Sequence, residues 1–171
     1  ASLPPSMEVM NHKPRRREDF IVSREMWTGI IGMGVLFTAL LTAIMFLFNH
    51  CTFADAAGHE ALLNFRMTES EEPFTLYKGA VFFTLFVFLQ FWNMFNAKAY
   101  MTGESAFKGL FTDTAFLFVC GIILLGQFLI VTFGGEMFNV VPLSAKSWGM
   151  IIISTSSVLW IGEVVRLFRR N

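Results

Sequence analysis

The side chains with the most to offer chemically lie in LQFWNMFNAKAY, residues 89 to 100, where Gln90, Asn93 and Asn96 recur every three positions inside an apolar stretch. Amide oxygens are neutral, hard ligands. They suit a cation such as Ca2+, which gathers about six to eight oxygens, yet amides without a carboxylate make a poor site on their own. With about 3.6 residues per helical turn, the three amides fan over about 120° and share one face. The other role open to them is interhelical hydrogen bonding, which satisfies amides in lipid, and spacing alone favours it. Glu163 is the second chemically loaded residue. An ionisable group inside a membrane span costs about 2.5 to 3.5 kcal/mol at the bilayer centre and marks a functional candidate by default. It stands near the end of its apolar run, however, with Arg166 one turn further on, so an ion pair there would satisfy it and its expected role is structural. Asp113, at the start of another run, is suited to cap a helix. No catalytic or cofactor-binding residue is expected, because there is no Gly-rich phosphate loop, His-Glu-x-x-His sequence, nucleophile elbow or triad. The three histidines, His12, His50 and His59, fall in polar segments.

These residues must be carried by membrane-length helices. Of 171 residues, 54% are hydrophobic, 21 are Phe and only 15% are charged, and the mean hydropathy is +0.56, a balance foreign to soluble domains. A bilayer core about 30 Å thick needs about 20 apolar residues in a helix, and four runs supply them, at 26–48, 77–95, 114–133 and 148–167. The expected class is therefore an all-α membrane protein with four transmembrane helices. In the second run Lys78 is expected to snorkel its amine towards the interface. The first run follows a polar arm, residues 1–25, and has no small-residue cleavage site, so it does not read as a signal peptide.

The net charge is zero, which leaves no basic excess for nucleic acid. Its distribution is polarised. Arm 1–25, loop 96–113 and tail 168–171, with the end of the last run, hold ten of the thirteen basic residues, against Arg66, Lys78 and Lys146 elsewhere. The positive-inside rule then makes both termini cytoplasmic and loops 49–76 and 134–147 extracytoplasmic. Cys51 and Cys120 are the only cysteines, too few for a disulfide framework or zinc site, and read as small packing residues. Small residues four apart, Gly34 with Thr38 and Thr42, form a helix-packing stripe. The hydroxyls of Ser154 to Ser157 can bond the preceding turn. The chain opens on Ala1 rather than Met, which suggests a piece of something longer.

Three ordered motifs carry a family likeness. The arm reads Leu3-Pro4-Pro5, then Met10 followed by Pro14-Arg15, then Ile21-Val22-Ser23. The second run ends Gln90-x-x-Asn93-x-x-Asn96-Ala97-Lys98. The last outer loop holds Gly134-Gly135, Phe138, Pro142-Leu143-Ser144 and Trp148. Over practically its whole length the chain resembles the C-terminal membrane region of P-type calcium-pumping ATPases, from the end of the loop after the sixth transmembrane helix through helices seven to ten. Where the sarcoplasmic-reticulum type has a glutamate that helps hold calcium, this chain has Gln90, as in the plasma-membrane type, for which one calcium per cycle is expected. The lack of a long tail after Asn171 is typical of the family's bacterial members.

The resemblance implies a membrane-support portion of an ATP-driven calcium exporter in the plasma membrane. Its partners would be the lipid bilayer, the pump's remaining transmembrane helices and its cytoplasmic domains. Ca2+ would be the cargo, with Mg2+ and ATP used by domains outside these residues. Gln90 and Asn93 would stand at the periphery of the ion site, while Asn96 and Glu163 would be structural. A P-type pump for Na+ or Mn2+, and a non-transporting four-span scaffold, are the alternatives.

Overall fold

A computed structural model describes residues 24–68, 73–102 and 105–170. The arm motifs of residues 1–23 lie outside the described residues, as do the acidic positions Glu69, Glu71 and Glu72 of the 49–76 loop. The chain divides into two units, residues 1–44 and 45–171. Helix α1, Arg24–Asn49, makes up the described part of the first and runs into the second. It contains no proline, and its Thr38 hydroxyl donates to Gly34 O in the preceding turn at 2.8 Å.

In the second unit α1 gives way to a short antiparallel hairpin, β1 Cys51–Thr52 and β2 Arg66–Met67, with Cys51 opposite Met67 and Thr52 opposite Arg66. Residues 49–76 are thus partly ordered by strand pairing within the all-α framework. The reason is local. The Asp55 carboxylate accepts from the backbone N–H of Ala57 and of His59, each at 2.9 Å, and Gly58 takes the left-handed φ of 82° that closes the turn. Those bonds, that from His59 N foremost, hold the Asp55 carboxyl below the usual carboxylate range.

Helices α2 (Leu76–Thr102), α3 (Thr114–Phe133), the single turn α4 (Gly135–Phe138) and α5 (Ala145–Arg170) follow. Among the described residues four stretches are long and apolar enough to cross a membrane: Trp27–Asn49, Leu76–Ala99, Thr114–Phe133 and Ala145–Phe168. The α2 helix continues past Phe95 to Thr102 because Lys98, which marks a boundary by charge alone, turns its amine to Asp113 at 3.3 Å, with both side chains 8% exposed. Asp113 also caps α3, accepting from Phe116 N at 3.1 Å.

The α2 helix is the hub, packed along α5 and against α3. Its buried Phe88 and Phe95 meet aromatic rings on the two neighbours edge-on: Phe95 lies 5.0 Å from Phe116 of α3, and Phe88 lies 6.0 Å from Trp148 of α5. Around the N-terminal end of α2, Phe48, Cys51, Phe53, Tyr77, Val140 and Leu143 are all buried. A Cβ on Gly79 would sit 3.4 Å from Asn139 O, so the loop after α4 crosses the first turn of α2. Lys78 accordingly does not snorkel. It is 2% exposed, and among the described residues its Nζ has no hydrogen-bond partner, because protein rather than open interface covers that turn. Cys51 and Cys120 are free thiols, and burial raises the pKa of Cys51.

Candidate functional site

The polar side chains of α2 sort by direction. Near its N-terminal end the Tyr77 hydroxyl meets Ser147 Oγ of α5 at 3.1 Å. Further in, buried Thr84 donates to Ala80 O at 2.7 Å and accepts from Gln127 Nε2 of α3 at 3.2 Å. Trp92 Nε1 donates to Thr155 Oγ1 of α5 at 3.1 Å. That hydroxyl in turn donates to Ile151 O at 2.6 Å. Its neighbours Ser154, Ser156 and Ser157 also donate to carbonyls of the preceding turn.

Towards the C-terminal end of α2 the network thickens. Asn96 Nδ2 donates to Val158 O of α5 at 2.9 Å, while Asn96 Oδ1 accepts from Arg166 Nη2 at 3.1 Å. Arg166 also donates to Glu163 Oε1 at 2.8 Å, and that oxygen accepts from Ala106 N of the loop between α2 and α3 at 2.7 Å. The Arg166 and Glu163 side chains are 19% and 15% exposed, so the pair is largely withdrawn from solvent. Gly162 makes room for the contact. A Cβ there would run into the Asn96 side-chain amide.

The remaining amides behave otherwise. Gln90 is exposed and Asn93 half-buried, and among the described residues neither makes a hydrogen bond, ion pair or ring contact. The amide series is therefore divided. Asn96 is engaged through both side-chain polar atoms with α5, whereas the side chains of Gln90 and Asn93 reach no partner among the described residues. Among the described residues no group of three or more His, Cys, Asp or Glu side chains could hold a metal ion. Gln90 and Asn93 could supply two neutral oxygens to a cation, short of the about six to eight that calcium gathers. Near its middle α2 is hydrogen-bonded through Thr84 to Gln127 of α3 and through Trp92 to Thr155 of α5. Gln127 could have been singled out as the amide inside the 114–133 run, by the reasoning applied to Glu163. The Trp92 and Thr155 pairing and the Gly162 notch leave no signal in a linear sequence.

Residues 1–168 match the family described as cation transporting ATPase, C-terminus. Individual relatives agree. A calcium-transporting ATPase of Dictyostelium discoideum is 27% identical over 169 residues, covering 97% of this chain and 14% of the relative. A plasma membrane calcium-transporting ATPase of Homo sapiens is 29% identical over 169 residues, covering 96% and 13%. A plasma membrane calcium-transporting ATPase of Caenorhabditis elegans is 26% identical over 162 residues, covering 94% and 12%. The chain thus spans about one-eighth of the length of these relatives, and their eukaryotic sources lend no support to the bacterial membership that the short tail suggests.

Proposed function

The chain belongs to the C-terminal family of cation-transporting ATPases, and from that premise we propose that it is the membrane-support portion of a plasma-membrane calcium export pump, presenting Gln90 and Asn93 to the helices that bind the ion. The observation that carries this reading is the partition of polar groups on α2. Tyr77, Thr84, Trp92, Asn96 and Lys98 are paired within the chain, whereas Gln90, on a membrane-length helix, is exposed and unpaired among the described residues. An amide left to lipid is unfavourable, so that face is completed by protein, or by the cation, when the remaining helices are in place. The names of the relatives, calcium-transporting and plasma membrane, support calcium as the cargo and the plasma membrane as the location.

In this reading Ca2+ is substrate, and ATP and Mg2+ act in domains outside these residues. The positive-inside distribution supports cytoplasmic termini. The pump's remaining transmembrane helices and cytoplasmic domains, with the bilayer, are the partners. Asn96 and Glu163 hold α2, α5 and the inner loop together without touching the ion. Neither a free-standing scaffold nor a Na+ or Mn2+ pump is favoured by any observation beyond the shared architecture. The test is calcium transport by the intact pump carrying Gln90→Ala or Asn93→Ala. Loss of an oxygen donor is expected to raise the calcium concentration for half-maximal activity by about tenfold, equivalent to about 1.4 kcal/mol. Unchanged affinity and turnover in both variants would remove the site role, and a matching shift for Na+ or Mn2+ but not Ca2+ would reassign the cargo.

A further inference from the structure

We infer that Asn96 is a positioning residue, whose amide, seated in the notch left by Gly162, fixes the rotation of α2 on α5 and thereby the direction in which Gln90 and Asn93 point. This rests on the reading that those two side chains face the ion. A helix turns about 100° per residue, so each step of three along the amide series turns the direction by about 60°. Holding the last amide fixes the other two through a rigid helix.

Asn96 is held on two sides. Its Nδ2 is tied to the α5 backbone at Val158 O, 2.9 Å away, and its Oδ1 to Arg166 Nη2 at 3.1 Å. Arg166 is itself fixed by Glu163, whose Oε1 accepts from Ala106 N at 2.7 Å. A turn of α2 would break both bonds of one side chain and strand polar groups in a largely apolar seam. One turn towards the outer side, Trp92 bonded to Thr155 at 3.1 Å stops the same motion. Gly162 sets how deeply the amide seats, since any Cβ there meets Asn96. Neither Asn96 nor Gly162 needs to touch calcium for this to matter.

The experiment compares Gly162→Ala, Asn96→Ala and the double variant in the intact pump, with Gln90→Ala as reference. Calcium dependence, turnover at saturating calcium and the amount of folded protein are measured for each. Gly162→Ala is expected to raise the half-maximal calcium concentration about fivefold, with saturated turnover within about twofold, the size expected when a coupled residue shifts a ligand without removing it. The double variant is expected to be no worse than Asn96→Ala alone, because the added methyl has lost the amide it displaced. Additive effects, or a fall in folded protein with calcium affinity unchanged, would overturn the positioning role. If affinity moves in Gln90→Ala but not in Gly162→Ala, positioning fails alone. If it moves in neither, the ion-facing reading fails and the inference falls with it.

Discussion

Helix α2 has two sides that use the same chemistry for opposite ends. On the side turned to α5, Tyr77, Trp92 and Asn96 each reach a named partner across the interface. On the other, Gln90 and Asn93 reach none among the described residues. Asn93 and Asn96 are the same residue type less than one turn apart, so composition cannot be what separates them. The difference is what each faces. An amide paired within its own chain works as structure, whereas in the proposed reading an unpaired amide on a membrane-length helix marks a surface finished by something else. The same contrast explains Glu163, an ionisable group in a candidate span that is paired both to Arg166 and to the backbone of the loop between α2 and α3.

That comparison can be broken by substitutions on the seam side. The largest effect is expected for Asp113→Ala, which removes the cap on Phe116 N together with the carboxylate that pairs with Lys98, both side chains of that pair being 8% exposed. A loss of about 3 to 5 kcal/mol is expected, read as a drop in the thermal unfolding midpoint in detergent. Asp113→Asn is expected to lose less, since asparagine still caps. Asn96→Ala comes next. It gives up the bonds to Val158 and Arg166, and a loss of about 1 to 2 kcal/mol is expected by the same measurement. Thr155→Val keeps the side chain's shape and removes the hydroxyl that accepts from Trp92 Nε1, for about 0.6 kcal/mol.

The smallest effect is expected outside the helices. The Asp55 carboxyl titrates below its ordinary range because it accepts from His59 N and Ala57 N. Its contribution is therefore fully present above the unfolded carboxylate value of about 4, and is lost only as pH falls through the lower folded value. Hydrogen exchange at Ala57 and His59, corrected for intrinsic rates, should be flat from neutral pH to about pH 5 and should be uniformly faster across that range in Asp55→Ala. Equal exchange in the two proteins would show that the carboxylate does not hold the turn.

Much of the fold can be read from the residues, for one physical reason. A bilayer demands helices of about 20 apolar residues, and four such runs stand out whatever their neighbours. The ends of the helices are harder to read. Lys98 resembles a terminus until Asp113 is brought beside it, and Lys78 resembles a snorkelling amine until a distant loop closes over its turn. The hairpin escapes because its strands are two residues long, too short to show alternation. The candidate site is half legible. Helical spacing places Gln90, Asn93 and Asn96 on one face, but the division between them depends on Gly162 and on Arg166, 70 residues from Asn96, which meet it only after α2 and α5 pack.

The central claim is that the open side of α2 serves the ion and the seam side serves the fold, and Gln90→Ala in the intact pump tests it most directly when thermal stability and calcium dependence are measured on the same preparation. The unfolding midpoint should stay where it was, within the equivalent of about 0.5 kcal/mol, while the calcium concentration for half-maximal transport rises about tenfold. A fall in stability with calcium affinity and turnover unchanged would contradict the claim and return Gln90 to the role of helix glue.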